Sequence, residues 1–191
     1  MTQAELNKQI IRRFIDEVVN TGNVDLLADL VSPDCVETDG KVRIVSGVTG
    51  MAEHLNAVRA IYPDLFLTIE RQVAEGEWVA TQITARGTHS REWLGMPPSG
   101  KLLVFTGVNV DRVVNGKIVE HGGAANMLAP FLEAGSLKPV SPSARQRSSV
   151  RKNSRAANTE PNGSKQRLYY SDFVLYYKLA QTNVQLTKCG E

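Results

Sequence analysis

The residues able to do chemistry gather late in the chain. The stretch GKIVEHGGAANM, Gly116–Met127, carries His121, a pair of glycines and Asn126. An imidazole, with an ordinary pKa of about 6.5, takes or gives a proton near neutral pH. A side-chain amide exchanges no proton there, but it can hydrogen-bond a carbonyl or enolate oxygen. His121 is therefore the candidate acid/base and Asn126 the candidate oxygen-binding group. His89 closes a G-T-H segment ahead of a loop and is an auxiliary proton carrier; Asp111 is an alternative base. Both His121 and Asn126 can line one cavity only if Gly122-Gly123 forms a bulge, because five residues of regular strand put them on opposite faces. The competing reading is a hairpin histidine solvated at a sheet edge.

Other chemistries lack their residues. The glycines at 47, 50, 76, 87, 95 and 100 do not have nucleotide-loop spacing. Three scattered histidines with Cys35 and Cys189 make no metal-ligand cluster, and no serine sits in an elbow motif. Neither a cofactor nor a metal is expected. What remains is proton transfer on a small molecule, with Trp93, Phe105, Trp78 and Thr38 as candidate substrate contacts. Trp78 also reads as core, Trp93 sits on a loop that could cover a ligand, and His54 on a helix reads as solvated.

Positioning these groups falls to helices first and strands afterwards. Leu6, Ile10, Ile11, Phe14, Ile15, Val18 and Val19 recur at helical steps, and Leu26, Leu27, Leu30 and Val31 mark a short second helix. Cys35–Thr38 reads as a short strand and Gly47–Ile61 as another helix. From Leu65 the period drops to two: a strand with an irregular step at Arg71, then Trp78–Thr88, a loop over Ser90–Gly100, Lys101–Val113 and Lys117–Asn126. Asn115-Gly116 is a tight-turn signal between the last two. Leu128–Ala134 makes a closing helical turn. This order predicts an α+β domain with N-terminal helices packed on a curved, mainly antiparallel sheet.

The charge is uneven. Residues 1–140 hold 13 Lys/Arg against 17 Asp/Glu, whereas residues 141–167 hold seven Lys/Arg against Glu160 alone. The sequence predicts a domain over 1–137, a disordered basic linker over 138–167 and a tail segment over 168–191, either unstructured or a lone helix. The arm has no aromatics among its arginines and follows an acidic domain, so nucleic acid is not an expected partner. No apolar run reaches membrane-spanning length, and two distant cysteines fit free thiols, so no membrane association and a cytoplasmic location are expected.

With the elements placed, the strings IIRRFIDEVVNTGNVDLLADLVSPD, YPDL, AEGEWVATQITARGTHSREWLGMPPSGK and FTGVNVDRVVNGKIVEH resemble the SnoaL-like polyketide cyclases and predicted ester cyclases, from about Asn7 to Leu137. The resemblance implies a nuclear-transport-factor-2-like cone, pairing as a homodimer, and cofactor-free ring closure of a polyketide by intramolecular aldol chemistry. It places the family's acid/base aspartate five residues beyond the E-H motif, where this chain has Asn126. It also puts Gly122 where relatives often have tryptophan, implying a roomier pocket, and Glu37-Thr38 where many have histidine. Three readings follow: a cyclase or isomerase using His121, a non-catalytic binding or dimerisation module, and hydroxylation on the same fold.

Overall fold

The computed structural model describes residues 1–39 and 42–138. The linker and tail expected beyond residue 138 fall, but for Lys138, outside the described residues. Helix α1, Gln3–Arg13, starts on Thr2, whose hydroxyl accepts the Glu5 N–H, and runs straight into a π-helical segment, Phe14–Val19. A 3-10 turn, Val24–Leu26, and the one-turn helix α2, Leu27–Leu30, lead into β1, Val31–Asp39. Then come β2, Val42–Val45; α3, Gly47–Ile61; β3, Phe66–Glu75; β4, Trp78–Thr88; β5, Leu102–Val114; β6, Lys117–Ala125; and α4, Leu128–Ala134.

The six strands form one sheet in the order β2-β1-β6-β5-β4-β3. All neighbours are antiparallel except β1 and β6, which run parallel. The sheet is thus mixed, and the chain's first strand lies beside its last. Neither β2 nor this pairing is visible in the hydrophobic pattern. The irregular step expected near Arg71 is present, as a register shift between Ile69 and Arg71.

Side chains alternate across the pleat, so one face of each strand points at the helices. On β4 the inward set is Val79, Thr81, Ile83 and Ala85, all buried; α1 packs against β3 and β4, and α3 against β1. Ile11, Phe14, Ile15, Val18, Met51 and Leu55 fill the space between the layers. Each buried Leu, Ile or Phe side chain contributes about 1.5–3 kcal/mol of transfer free energy. Arg59 ties the end of the π-helical segment to the turn after α3: its guanidinium donates to the carbonyls of Val19 (2.8 Å) and Leu65 (3.2 Å). Asp64, expected to turn the chain, accepts the Thr88 N–H (2.6 Å) and hydroxyl (2.7 Å), clamping that turn to the end of β4.

Among the described residues the opposite face carries no helix. Trp78 is 43% exposed there, with Val104, Val108 and Val110 also open. This corrects the assignment of Trp78 both to the core and to a substrate site. Its position on β4 shares the parity of Gln82 and Arg86, away from the helices.

Candidate functional site

His121 reaches the interior through a one-residue irregularity in the β5–β6 hairpin. Asn115 and Gly116 both have positive φ, the conformation of a two-residue turn that twists with its strands. From that turn Val114 pairs with Lys117 and Val113 with Ile118. Continued without interruption, the register would set Asp111 opposite Glu120. Instead the pairing skips Val119, so Arg112 faces Glu120 and Asp111 faces His121. The bulge expected at Gly122-Gly123 does not form: the irregularity lies at Val119, before His121, and the ladder runs regularly through both glycines to Ala125, so His121 and Asn126 are not brought to one face by it. The skip lets Ile118 and His121 both point inward, although they are three positions apart.

The glycines serve a different need. A Cβ on Gly122 would collide with the hydroxyl and carbonyl oxygens of Thr38 on β1, and one on Gly123 would come within 2.5 Å of the Val108 carbonyl. They permit close strand approach rather than a register shift. Gly122 sits on the face away from His121, so lacking a tryptophan there does not widen the interior. Thr38 shares that outer parity, and its hydroxyl donates to the His121 carbonyl at 3.4 Å. Thr38 ties strands together; it is not placed to contact a substrate beside the imidazole.

His121 Nδ1–H donates to Asp111 Oδ1 at 2.6 Å. The Asp111 side chain is 1% exposed and that of His121 17%. Burial alone would push the imidazole pKa down. The charge and hydrogen bond of Asp111, together with the charge of Glu37, outweigh that and hold it above its ordinary value. Because Nδ1 is committed to the carboxylate, the neutral ring presents its lone pair at Nε2. Phe14 from the π-helical segment packs edge-on against the ring, centroids 5.7 Å apart, and fixes its plane.

Beside this pair the inner face is nearly bare. Moving along β5 from Asp111, the inward positions are Asn109, Gly107 and Phe105; along β6 from His121 they are Gly123 and Ala125. None of the five is buried, whereas inward residues at the same levels of β4 are. Nearest the imidazole, Asn109, Gly107, Gly123 and Ala125 form a partly accessible floor of small residues, with Phe105 at its far end. The Asn109 amide lies over Gly123, where a Cβ would come within 2.9 Å of its oxygen.

The structure does not bring the other two catalytic candidates to this place. Asn126 follows the end of β6, exposed, with its backbone N–H donating to Thr106. Five residues of extended chain put it about 16 Å from His121 along the strand. His89 is farther away. Its N–H pairs with Lys101, ten positions along β5 from Asp111, a separation of about 30 Å along the strand. There His89 is fully buried among rings: it contacts Tyr62 and stands edge-on to Phe131, on which Trp93 stacks with centroids 5.0 Å apart. Ser99 donates its backbone N–H to Nδ1 at 3.2 Å, and burial pushes the imidazole pKa down. His89 is a neutral packing element. Trp93 and Phe105 belong to the same aromatic cluster, Phe105 against Tyr62 and Trp93 over Phe131.

Two groups that the sequence did not offer as site residues, Glu37 and His54, lie beside the pair. Glu37 on β1 pairs in register with His121 and is 5% exposed; its Oε2 accepts from Nδ1 of His54 on α3 at 2.8 Å. Their seventeen-residue separation carries no local signal. Asn109 could have been suspected from its alternation with Asp111 on a strand of otherwise apolar inward residues.

Among the described residues no helix is long and apolar enough to cross a membrane. The sequence profile of the SnoaL-like polyketide cyclases matches residues 9–133. Nogalonic acid methyl ester cyclase from Streptomyces nogalater is 29% identical over 104 residues, covering 53% of this chain and 78% of the cyclase. Among solved structures, IdmH, a proposed polyketide cyclase from Streptomyces antibioticus, is 29% identical with a TM-score of 0.57, covering 69% of this chain and 99% of its own. AclR, a proposed hydroxylase from Streptomyces galilaeus, is 26% identical with a TM-score of 0.63, covering 71% and 100%. The helices, the curved six-stranded sheet and the match over residues 9–133 agree: this chain belongs to the SnoaL-like polyketide cyclase family.

Proposed function

We propose that the protein closes or isomerises a polyketide-like carbonyl compound without a cofactor, with His121 as the acid/base and Asp111 holding it. The observation that carries this reading is the buried Asp111–His121 pair, at 2.6 Å, opening onto a floor of small residues. His121 Nε2 takes a proton from the carbon beside a carbonyl, and the C–H electrons become the enolate. The enolate carbon attacks a second carbonyl of the same molecule; the new C–C bond forms, and the π electrons move to oxygen. The imidazolium returns its proton to that oxygen, giving the hydroxyl. Nothing is oxidised or reduced. We assign the enolate-oxygen contact to the Asn109 amide, on the same floor, the role the sequence offered to Asn126. Positioned proton transfer of this kind contributes typically about 10²- to 10⁴-fold in rate.

A second reading, a binding or dimerisation module without turnover, is favoured by one specific feature: an amide at the position where the resemblance puts the family's acid/base aspartate. Nogalonic acid methyl ester, the substrate class named for a relative, is the probe. Turnover by the native chain that His121→Ala abolishes supports the enzyme. An inert native chain in which Asn126→Asp creates activity supports the module. The apolar outer face of Trp78, Val104, Val108 and Val110 is the surface on which we place a homodimer contact. Light scattering on the native chain and on Val108→Asp tests it, with the variant expected to shift to monomer.

A further inference from the structure

Glu37 is buried to 5% exposure on the inner face of β1, and one of its oxygens, Oε1, has no hydrogen-bond partner. A buried carboxylate with a spare oxygen is costly unless positive charge stands near it. Two imidazoles do. His54 donates to Oε2 from α3, and His121 is the in-register neighbour on β6, one strand spacing of about 5 Å away. The parallel β1–β6 pairing, absent from any hairpin logic, creates this neighbourhood. Four side chains from four elements thus form one chain of alternating type: Asp111, His121, Glu37, His54.

We propose that Glu37, held in place by His54, is a positioning residue that sets how tightly His121 keeps its proton. Among the described residues, the groups facing His121 come from four other elements. Asp111 comes from β5; Glu37 and, two residues before it, the thiol of Cys35 come from β1. Phe14 from the π-helical segment brings an uncharged ring, and α3 brings His54 behind Glu37. Glu120, next along β6, is turned outward and bonded to Arg43 by two contacts of 2.8 and 3.0 Å. His121 is therefore flanked by two carboxylates, one hydrogen-bonded and one not. The bonded one fixes the ring. The second adds charge without competing for Nε2, so it raises basicity and leaves the reactive nitrogen free. The electrostatics agree in direction. Burial would raise the Glu37 carboxyl pKa, but the His54 bond, the charges of His54 and His121 and a weaker contribution from the Ser46 hydroxyl hold it below the ordinary range, so Glu37 is ionised where His121 titrates.

The proposal rests on His121 being the base, but its test does not need a substrate. In the full chain, the His121 ring protons are followed by NMR against pH. Glu37→Gln should lower the His121 midpoint by about 1 pH unit, the size expected of a lost opposite charge at that range. Glu37→Asp should recover most of the shift, and Glu120→Gln should move the midpoint by less than about 0.3 unit. A well-dispersed Glu37→Gln spectrum with an unmoved midpoint overturns the proposal. If that variant does not fold, native protein labelled with ¹³C at glutamate carboxyls decides. An inflection of the Glu37 resonance at the His121 midpoint supports the coupling, and its absence refutes it. Separately, undiminished turnover of nogalonic acid methyl ester by His121→Ala would remove the role of His121 as base while leaving the titration result standing.

Discussion

Replacing Asp111 by Asn keeps the shape of the site and removes one charge. Asn Oδ1 can still accept from Nδ1–H of His121, so the ring stays oriented. What changes is the bond, from a charge-assisted contact at 2.6 Å to a neutral one. Hydrogen bonds to charged groups contribute about 1.5–3 kcal/mol and neutral ones about 0.5–1.5, so the charged imidazole loses about 1–2 kcal/mol. With both side chains less than one-fifth exposed, solvent screening takes little from that figure. At 1.36 kcal/mol per pH unit, the His121 midpoint should fall by about 1 unit. The sign of the stability change follows from the direction of the shift. A histidine whose folded pKa is raised contributes its stabilisation in full below the unfolded value, about 6.5, and loses it as pH rises through the folded value. Urea unfolding of native and Asp111→Asn protein at pH 5.5 and pH 9 should therefore show a penalty of about 1–2 kcal/mol at the lower pH that shrinks at the higher. On turnover, the acid limb of the pH–rate profile should move to lower pH and the plateau should fall by about 10²-fold or more. A penalty equal at both pH values, with an unmoved His121 midpoint, would refute the charge-assisted pair.

Gly123→Ala places a methyl against the Val108 carbonyl and the Asn109 amide and should cost about 1–3 kcal/mol in chemical unfolding while displacing Asn109. Turnover that survives intact beside such a loss would remove Asn109 from the mechanism. His89→Leu should lower stability by about 1–3 kcal/mol, since it orphans the Ser99 N–H, and change kcat by less than about twofold. A 100-fold fall in kcat would restore His89 to the chemistry. Cys35 is fully buried, and its thiol pKa is pushed up to about 12, first by burial and then by the charges of Glu37, Asp111 and Glu120. In a Cys189→Ser background, iodoacetamide should label Cys35 at least ~100-fold more slowly in native protein than in urea.

Much of the scaffold was legible because it is local. Gly47–Ile61 is a helix over the span its periodicity indicates, Trp78–Thr88 is a strand at its alternation, and Asn115-Gly116 turns as that dipeptide does. The site was legible only in part. His121 was identified by type, since no other residue of that hairpin titrates near neutrality. Asn126 was proposed from its place five residues beyond His121 and His89 from its place at a strand end before a loop; strand geometry, at about 3.3 Å per residue, sets both apart from the imidazole.

What the sequence determined alone was the set of elements, the hairpin and the imidazole it carries, because each depends on spacings of a few residues. Which groups share that imidazole's face was decided by the tertiary structure. One skipped residue at Val119 replaces Glu120 with His121 opposite Asp111, and the parallel docking of β1 sets Glu37 beside it from 84 positions away. Register and strand order follow from how the whole sheet buries its inner face under the helices, a balance summed over residues that no local stretch contains.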